Sequence, residues 1–156
     1  MKVVNSWAAF LIALVLLQQS LKEVGADSIS DTCAKIDKDI RHRFNEFVKD
    51  SATGTLAQVK NLLAGADDAA LKSYLTSCST YYDTIVSNKV PNALKTLDSN
   101  SYVTAASLMS DAMFEAQICG KTFSTGPEVR KSPLTDKNTV VIDLSDIALH
   151  LTTNLA

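Results

Sequence analysis

Two observations predict an all-helical domain. Apolar residues recur three and four positions apart from Ile36 to Leu155, the spacing of one helix face. Once an N-terminal leader is set aside, only three Pro and four of the five Gly remain, too few to supply the turns of a many-stranded sandwich or barrel.

The leader comes first in the chain. Of the 156 residues, Met1 to Leu17 carry a single charge, Lys2, and the apolar run Trp7–Leu17 is too short to span a bilayer as a helix. That pattern reads as a signal peptide, with small residues Val24 and Ala26 placed for cleavage before Asp27 and a mature domain of residues 27–156. Losing Lys2, Lys22 and Glu23 leaves 13 basic and 16 acidic residues, dispersed along the chain. A slightly acidic surface without basic runs disfavours nucleic acid or an anionic membrane as partner. No second apolar stretch reaches membrane-spanning length, so a soluble, secreted product is expected.

Ile36, Ile40, Phe44, Phe47 and Val48 predict an amphipathic helix over Asp37–Lys49, interrupted by Asp50–Gly54. Leu56, Val59, Leu62 and Leu63 form a second stripe that stops at Gly65, a residue suited to the left-handed conformation after a helix end. Asp67 or Asp68 can cap the next helix, in which Leu71, Tyr74, Leu75, Cys78, Tyr81, Tyr82, Ile85 and Val86 keep helical spacing up to Pro91. Pro91 is expected to kink this helix without ending it, because Ala93, Leu94 and Leu97 carry the pattern on. Asp98–Ser101 reads as a turn with capping residues. Tyr102, Ala105, Ala106, Met109, Ala112, Met113, Ala116, Cys119 and Phe123 define another helix. Ser124–Asn138 reads as a loop, and Val141, Leu144, Ile147, Ala148, Leu151 and Leu155 as a C-terminal helix.

Three cysteines in a secreted chain leave one over. The midpoint between Cys78 and Cys119 falls inside the Asp98–Ser101 turn, so two antiparallel helices leaving that turn bring the two residues level. A Cys78–Cys119 disulfide is therefore expected, with Cys33 unpaired. Tyr74 with Phe123, Ile85 with Ala112, and Leu94 with Val103 share the same midpoint and predict an apolar seam along the hairpin.

The segment from Leu75 to Phe123 places Cys78, Tyr82 and Asp83, an Ala-Leu helix, Tyr102 after the turn, Ser110 to Ala112 and then Cys119. This order resembles the plant invertase and pectin methylesterase inhibitor family, and Lys131–Leu155 resembles the family's final loop and helix. Together these segments cover most of the mature chain. The look is nearest to that of pollen-type members known as allergens. The resemblance implies an up-down four-helix bundle with an N-terminal helical extension, and inhibition of a secreted carbohydrate enzyme of the plant cell wall. The implied partner is pectin methylesterase or acid invertase.

The chain departs from the family twice. Members usually carry two cysteines near the mature N-terminus; here Cys33 stands alone and runs within a few residues into the helix, which implies a shortened extension. Invertase-type members carry Pro-Lys-Phe near the start of the third bundle helix, where this chain has Asn100, Ser101 and Tyr102. Pectin methylesterase is then at least as good a target as invertase. Two alternatives stand beside inhibition: a helical carrier of a small apolar ligand, and a shortened family member without activity.

An inhibitor of this kind works through surface side chains on rigid helices. Asp83, Thr84, Ser87 and Asn88 on the long helix, with Thr104, Ser107, Ser110 and Asp111 on the next, avoid the expected seam and are the candidate enzyme-binding surface. Catalysis has little support: His42 and His150 are far apart in sequence, and no nucleophile motif accompanies either. Asp143, Asp146 and His150 share a helix face, but three solvated polar residues explain them better than a metal does. Met109 and Met113 read as core filling, and of Tyr81 and Tyr82 one should face inward. Neither cofactor nor metal is expected, and no Asn begins an N-glycosylation signal.

Overall fold

Five α-helices and one π-helical turn make up the fold, seen in a computed structural model that describes the backbone of residues 5–154 and the side chains of residues 28–154. The expected signal segment, residues 1–26, and Leu155 lie outside the residues whose side chains are described. The helices are α1 (Asn5–Gly65), α2 (Ala69–Thr84), α3 (Val90–Asp98), α4 (Tyr102–Thr125) and α5 (Thr135–Asn154), with the π turn over Ile85–Lys89. Contacts group the chain into two units, residues 1–38 and 39–156.

In the first unit the chain is helical from Asn5. Thr32 Oγ1 donates to the Ser28 carbonyl at 2.7 Å. Ile29, Cys33 and Ile36 are exposed, and Cys33 is a free thiol. The helix expected to start at Asp37 thus starts much earlier, as no proline interrupts the chain before Pro91.

The second unit is the four-helix bundle: residues 39–65 of α1, the rod α2–π turn–α3, α4 and α5. Its shared core holds Val48 and Val59 of α1, Leu75, Tyr82 and Ile85 of the rod, Met109 and Phe123 of α4, and Val141 of α5. Tyr82 is buried and Tyr81 half-buried, and Met109 is buried with Met113 half-buried beside it.

Asp50–Gly54 does not interrupt α1. Ala52 is buried, and Thr53 and Thr55 turn their hydroxyls back onto the carbonyls of Lys49 and Ser51 at 2.7 and 2.8 Å, so these poor helix formers stay satisfied within the helix. The expected stripe is used in part: Val48, Leu56 and Val59 are buried, and Phe44, Leu62 and Leu63 pack against the core. Ile36, Ile40 and Phe47 are exposed, whereas the polar Arg41, Asn45 and Thr55 are buried together with Ala52. Arg41 and Val48 each follow an exposed apolar residue by one position, about 100° round the helix, so the buried face of this segment is turned away from Ile40 and Phe47. Gly65 remains helical, and none of the described glycines has positive φ, so the left-handed end expected there is absent.

Asp68 caps α2, its Oδ1 accepting from Leu71 N at 2.6 Å. After the π turn the rod continues through Pro91 to Asp98. Asn100 supplies the left-handed residue of the following turn at φ 57°, while Ser101 makes no side-chain cap. The second loop is shorter than expected because α4 runs to Thr125 and α5 begins at Thr135. Leu134 is buried and Asn138 N bonds its carbonyl at 2.8 Å, which winds the first turn of α5 ahead of the expected stripe. That helix buries Asn138, Val141, Ser145, Ala148 and Thr152, leaving Leu144 and Leu151 half-covered and Ile147 exposed. Small side chains here meet the Ala-rich face of α4, and even Gly120 has Asn138 Nδ2 only 3.2 Å from where a Cβ would stand.

Candidate functional site

Two of the four bundle rods are joined covalently. Cys78 of α2 and Cys119 of α4 form a disulfide with an S–S distance of 2.11 Å and Cα atoms 4.8 Å apart. One rung further along, the Tyr74 and Phe123 rings meet edge to face with centroids 5.4 Å apart. In the other direction Ile85 and Ala112 are both buried, but the seam does not reach its expected last rung: Val103 is 83% exposed.

The ends of this hairpin are pinned as well. Tyr74 OH accepts from Glu128 N at 3.0 Å, and Arg130 bonds Asp68 Oδ1 at 3.2 Å while also pairing with Glu128. The chain after α4 is thereby tied to the start of α2. The Leu71 N–H and the Arg130 guanidinium together hold the Asp68 carboxyl below its usual range. At the far end, the Arg41 guanidinium lies over the Tyr102 ring, 4.3 Å from its centroid, and Tyr102 OH donates to Asn100 Oδ1 at 3.0 Å. His42 Nε2 sits 3.2 Å from Asp98 Oδ1, within ion-pair reach but not aligned as a hydrogen bond.

Inside the bundle, Tyr82 OH donates to Asn138 Oδ1 at 2.8 Å beside the disulfide. Burial pushes the Tyr82 phenol well above its ordinary value. These groups lock α5 to the hairpin and are inaccessible to a partner.

The eight candidate surface residues all lie off the core. Asp83, Ser87 and Asn88 of the rod and Thr104, Ser107 and Asp111 of α4 are exposed; Thr84 and Ser110 are half-exposed. The structure ties the two sets together at one point, where Lys89 Nζ meets Asp111 Oδ2 at 2.8 Å. Thr84 and Ser87 direct their hydroxyl protons to the carbonyls of Thr80 and Asp83, at 3.0 and 2.6 Å, leaving oxygen lone pairs toward solvent. The face can therefore offer hydrogen-bond acceptors, the Asn88 amide and a carboxylate, all on a braced support.

Sequence reasoning missed two members of this surface. Lys89 supplies the cross-helix pair, and Phe114 stands 56% exposed one turn beyond Ser110 and Asp111. Spacing would have found Phe114, since it falls between the buried positions Ala112 and Ala116. Among the described residues no three His, Cys, Asp or Glu side chains group as a metal site, and His150 stacks locally on Asp146, its Nδ1 2.9 Å from that residue's carbonyl oxygen. A ligand carrier would need an enclosed apolar cavity, whereas the described core is filled by Leu75, Tyr82, Ile85, Met109 and Phe123. Among the described residues no helix is long and apolar enough to cross a membrane.

Comparison with known proteins adds an independent finding. The sequence model of the family described as plant invertase/pectin methylesterase inhibitor matches residues 18–151. No curated protein matches the chain. The fold is similar to a crystal structure of a pectin methylesterase inhibitor from Arabidopsis thaliana, with a TM-score of 0.69 at 20% identity over 77% of this chain and 78% of that one. It is similar also to a mutant form of a pectin methylesterase inhibitor from Arabidopsis, with a TM-score of 0.68 at 20% identity over 75% and 77% of the two chains.

Proposed function

The chain belongs to the plant invertase/pectin methylesterase inhibitor family, and on that footing we propose that it is a secreted inhibitor of a cell-wall carbohydrate enzyme. The target is pectin methylesterase ahead of acid invertase, and the mode is coverage of the enzyme's substrate cleft by the face shared by the α2–α3 rod and α4. Cleavage after Ala26 would release residues 27–156 to the cell wall.

The observation that carries this reading is the disulfide-braced hairpin with its polar outer face. Cys78–Cys119 and the Tyr74–Phe123 contact fix the two rods from inside, while Asp83, Ser87, Asn88, Thr104, Ser107 and Asp111 stand outside with no packing duty. A surface already held in one conformation loses little freedom when it docks. Phe114 adds an exposed aromatic side chain, a type enriched at the centres of protein interfaces.

The choice of pectin methylesterase rests on the turn before α4. Asn100, Ser101 and Tyr102 stand where invertase-type members have Pro-Lys-Phe, and Tyr102 is engaged within its own chain by Arg41 and Asn100. Purified, oxidised protein added to each enzyme across mildly acidic pH tests the proposal. Loss of pectin methylesterase activity is the expected result; undiminished activity of both enzymes would sink the inhibitor reading.

A further inference from the structure

The buried positions of the rod keep steps of one, three and four residues through Tyr74, Leu75, Cys78, Tyr82 and Ile85, then jump five residues to Val90 before resuming at Ala93 and Leu97. An unbroken α-helix would carry Val90 and everything after it off the core by about 100°. The π turn Ile85–Lys89 absorbs the extra residue, and Val90 N accordingly bonds the carbonyl of Ile85, five positions back. Pro91 makes the wide turn favourable there. It has no N–H to offer the Ser87 carbonyl, and in a regular helix its ring would press against that group. Both stripes of the rod are in phase with the core only because one residue is spent on the outside.

That residue is spent within the candidate face. Val86, Ser87, Asn88 and Lys89 are four consecutive residues without full burial between the buried Ile85 and Val90. Ser87 and Asn88 are exposed at its crest, and Lys89 reaches across to Asp111 at 2.8 Å, which sets the crest level with α4. We infer that the π turn is the positioning element of the enzyme-binding face: it lifts Ser87 and Asn88 beyond the ordinary helix surface so that they enter the rim of the pectin methylesterase cleft. This rests on the inhibitor reading above. An enzyme that binds a hydroxyl- and carboxyl-bearing polysaccharide lines its cleft with hydrogen-bonding groups, and a hydroxyl oxygen and an amide side chain satisfy such groups. Because Asp111 already neutralises Lys89, the contact made by the crest is uncharged.

Deleting Asn88 tests this directly. The deletion returns the step from Ile85 to the following valine to four residues, so a plain α-helix serves the same core. The variant is expected to keep the disulfide but to melt below the parent, because Pro91 then sits inside a regular helix; at a temperature where both are folded, its inhibition constant for pectin methylesterase should rise at least tenfold. A structural role alone would leave inhibition in proportion to folded protein. The second variant, Asn88→Arg, keeps the π turn and should weaken inhibition similarly without altering the midpoint. A folded deletion variant that inhibits as well as the parent overturns the inference; if the deletion does not fold, parent-like inhibition by Asn88→Arg overturns it instead. Should the parent protein inhibit neither pectin methylesterase nor invertase, it is the inhibitor reading that has failed, and this inference falls with it.

Discussion

The Tyr82 hydroxyl and the Asn138 amide oxygen form a hydrogen bond of 2.8 Å between two buried side chains, joining the rod to α5 next to the disulfide. Removing the donor leaves a buried acceptor unpaired. Tyr82→Phe should therefore destabilise the protein by about 1–3 kcal/mol, measured by urea unfolding, with near-native helicity. A loss below a few tenths would mean that the Asn138 oxygen finds another donor.

The same phenol sets an alkaline limit. Burial raises the Tyr82 value in the folded protein above that of the unfolded chain, so the folded state favours the protonated form. That preference contributes nothing to any change of stability below about pH 10, the ordinary tyrosine value. Stability should fall as pH rises past that point, since the unfolded chain then releases a proton the folded one retains. Unfolding curves of the parent and Tyr82→Phe should converge in alkali, and a constant difference would contradict this account.

Closing the loop between Cys78 and Cys119, 41 residues apart in sequence, should stabilise the fold by about 4 kcal/mol on the chain-entropy estimate. Denaturant midpoints with and without reductant measure it directly. Reduction is expected to cost a large part of the net stability of a domain this size.

The carboxyl of Asp68, held low by the Leu71 N–H and then by Arg130, makes a contribution with the opposite pH sense. Its folded value lies below its unfolded one, so the stabilisation is present above about pH 4 and fades as pH falls through the lowered value. Asp68→Asn keeps a capping oxygen but loses the ion pair to Arg130; Asp68→Ala loses both. Thermal midpoints should rank parent, Asn, Ala at neutral pH, and the gap between parent and Asn should close in acid.

Phe114 should behave as a binding residue without a structural duty. Because its ring is largely in solvent, Phe114→Ser is expected to leave the thermal midpoint within a degree or two, the size of an ordinary surface change. Inhibition of pectin methylesterase should weaken by about tenfold or more, as for an aromatic interface anchor. Unchanged inhibition would move the contact surface away from this part of α4.

The hairpin was legible in the sequence as far as Ile85 because helix pairing about a common turn is a matter of counting, and the disulfide and the Tyr74–Phe123 contact obey the count. Beyond Ile85 the π turn adds a residue and shifts the register of the rod, while on α4 the buried stripe runs through Ala105, Ala106 and Met109 and leaves Val103 in solvent. Periodicity reports only that residues share a face, and in α1 it found Val48, Leu56 and Val59 but also marked Ile36, Ile40 and Phe47, which the bundle leaves exposed. There the buried polar groups Arg41, Asn45 and Thr55 take the place of the apolar stripe, a choice made by fit against neighbouring helices. In the candidate site the polar positions were readable by elimination from the seam. The reach of Lys89 to Asp111 was not, since it depends on the local widening of the helix.

The disulfide also divides the chain topologically. Residues 78–119 form a closed ring, while α1 and α5 lie on the two open ends and are retained by packing and hydrogen bonds alone. Either end can peel away and rejoin without any covalent change. The ring therefore acts as a template that survives partial opening, and amides in α2 and α4 should be the last to exchange with solvent deuterium. The proposed enzyme-binding face begins within this ring, so it should outlast the rest of the bundle under heat or proteolysis.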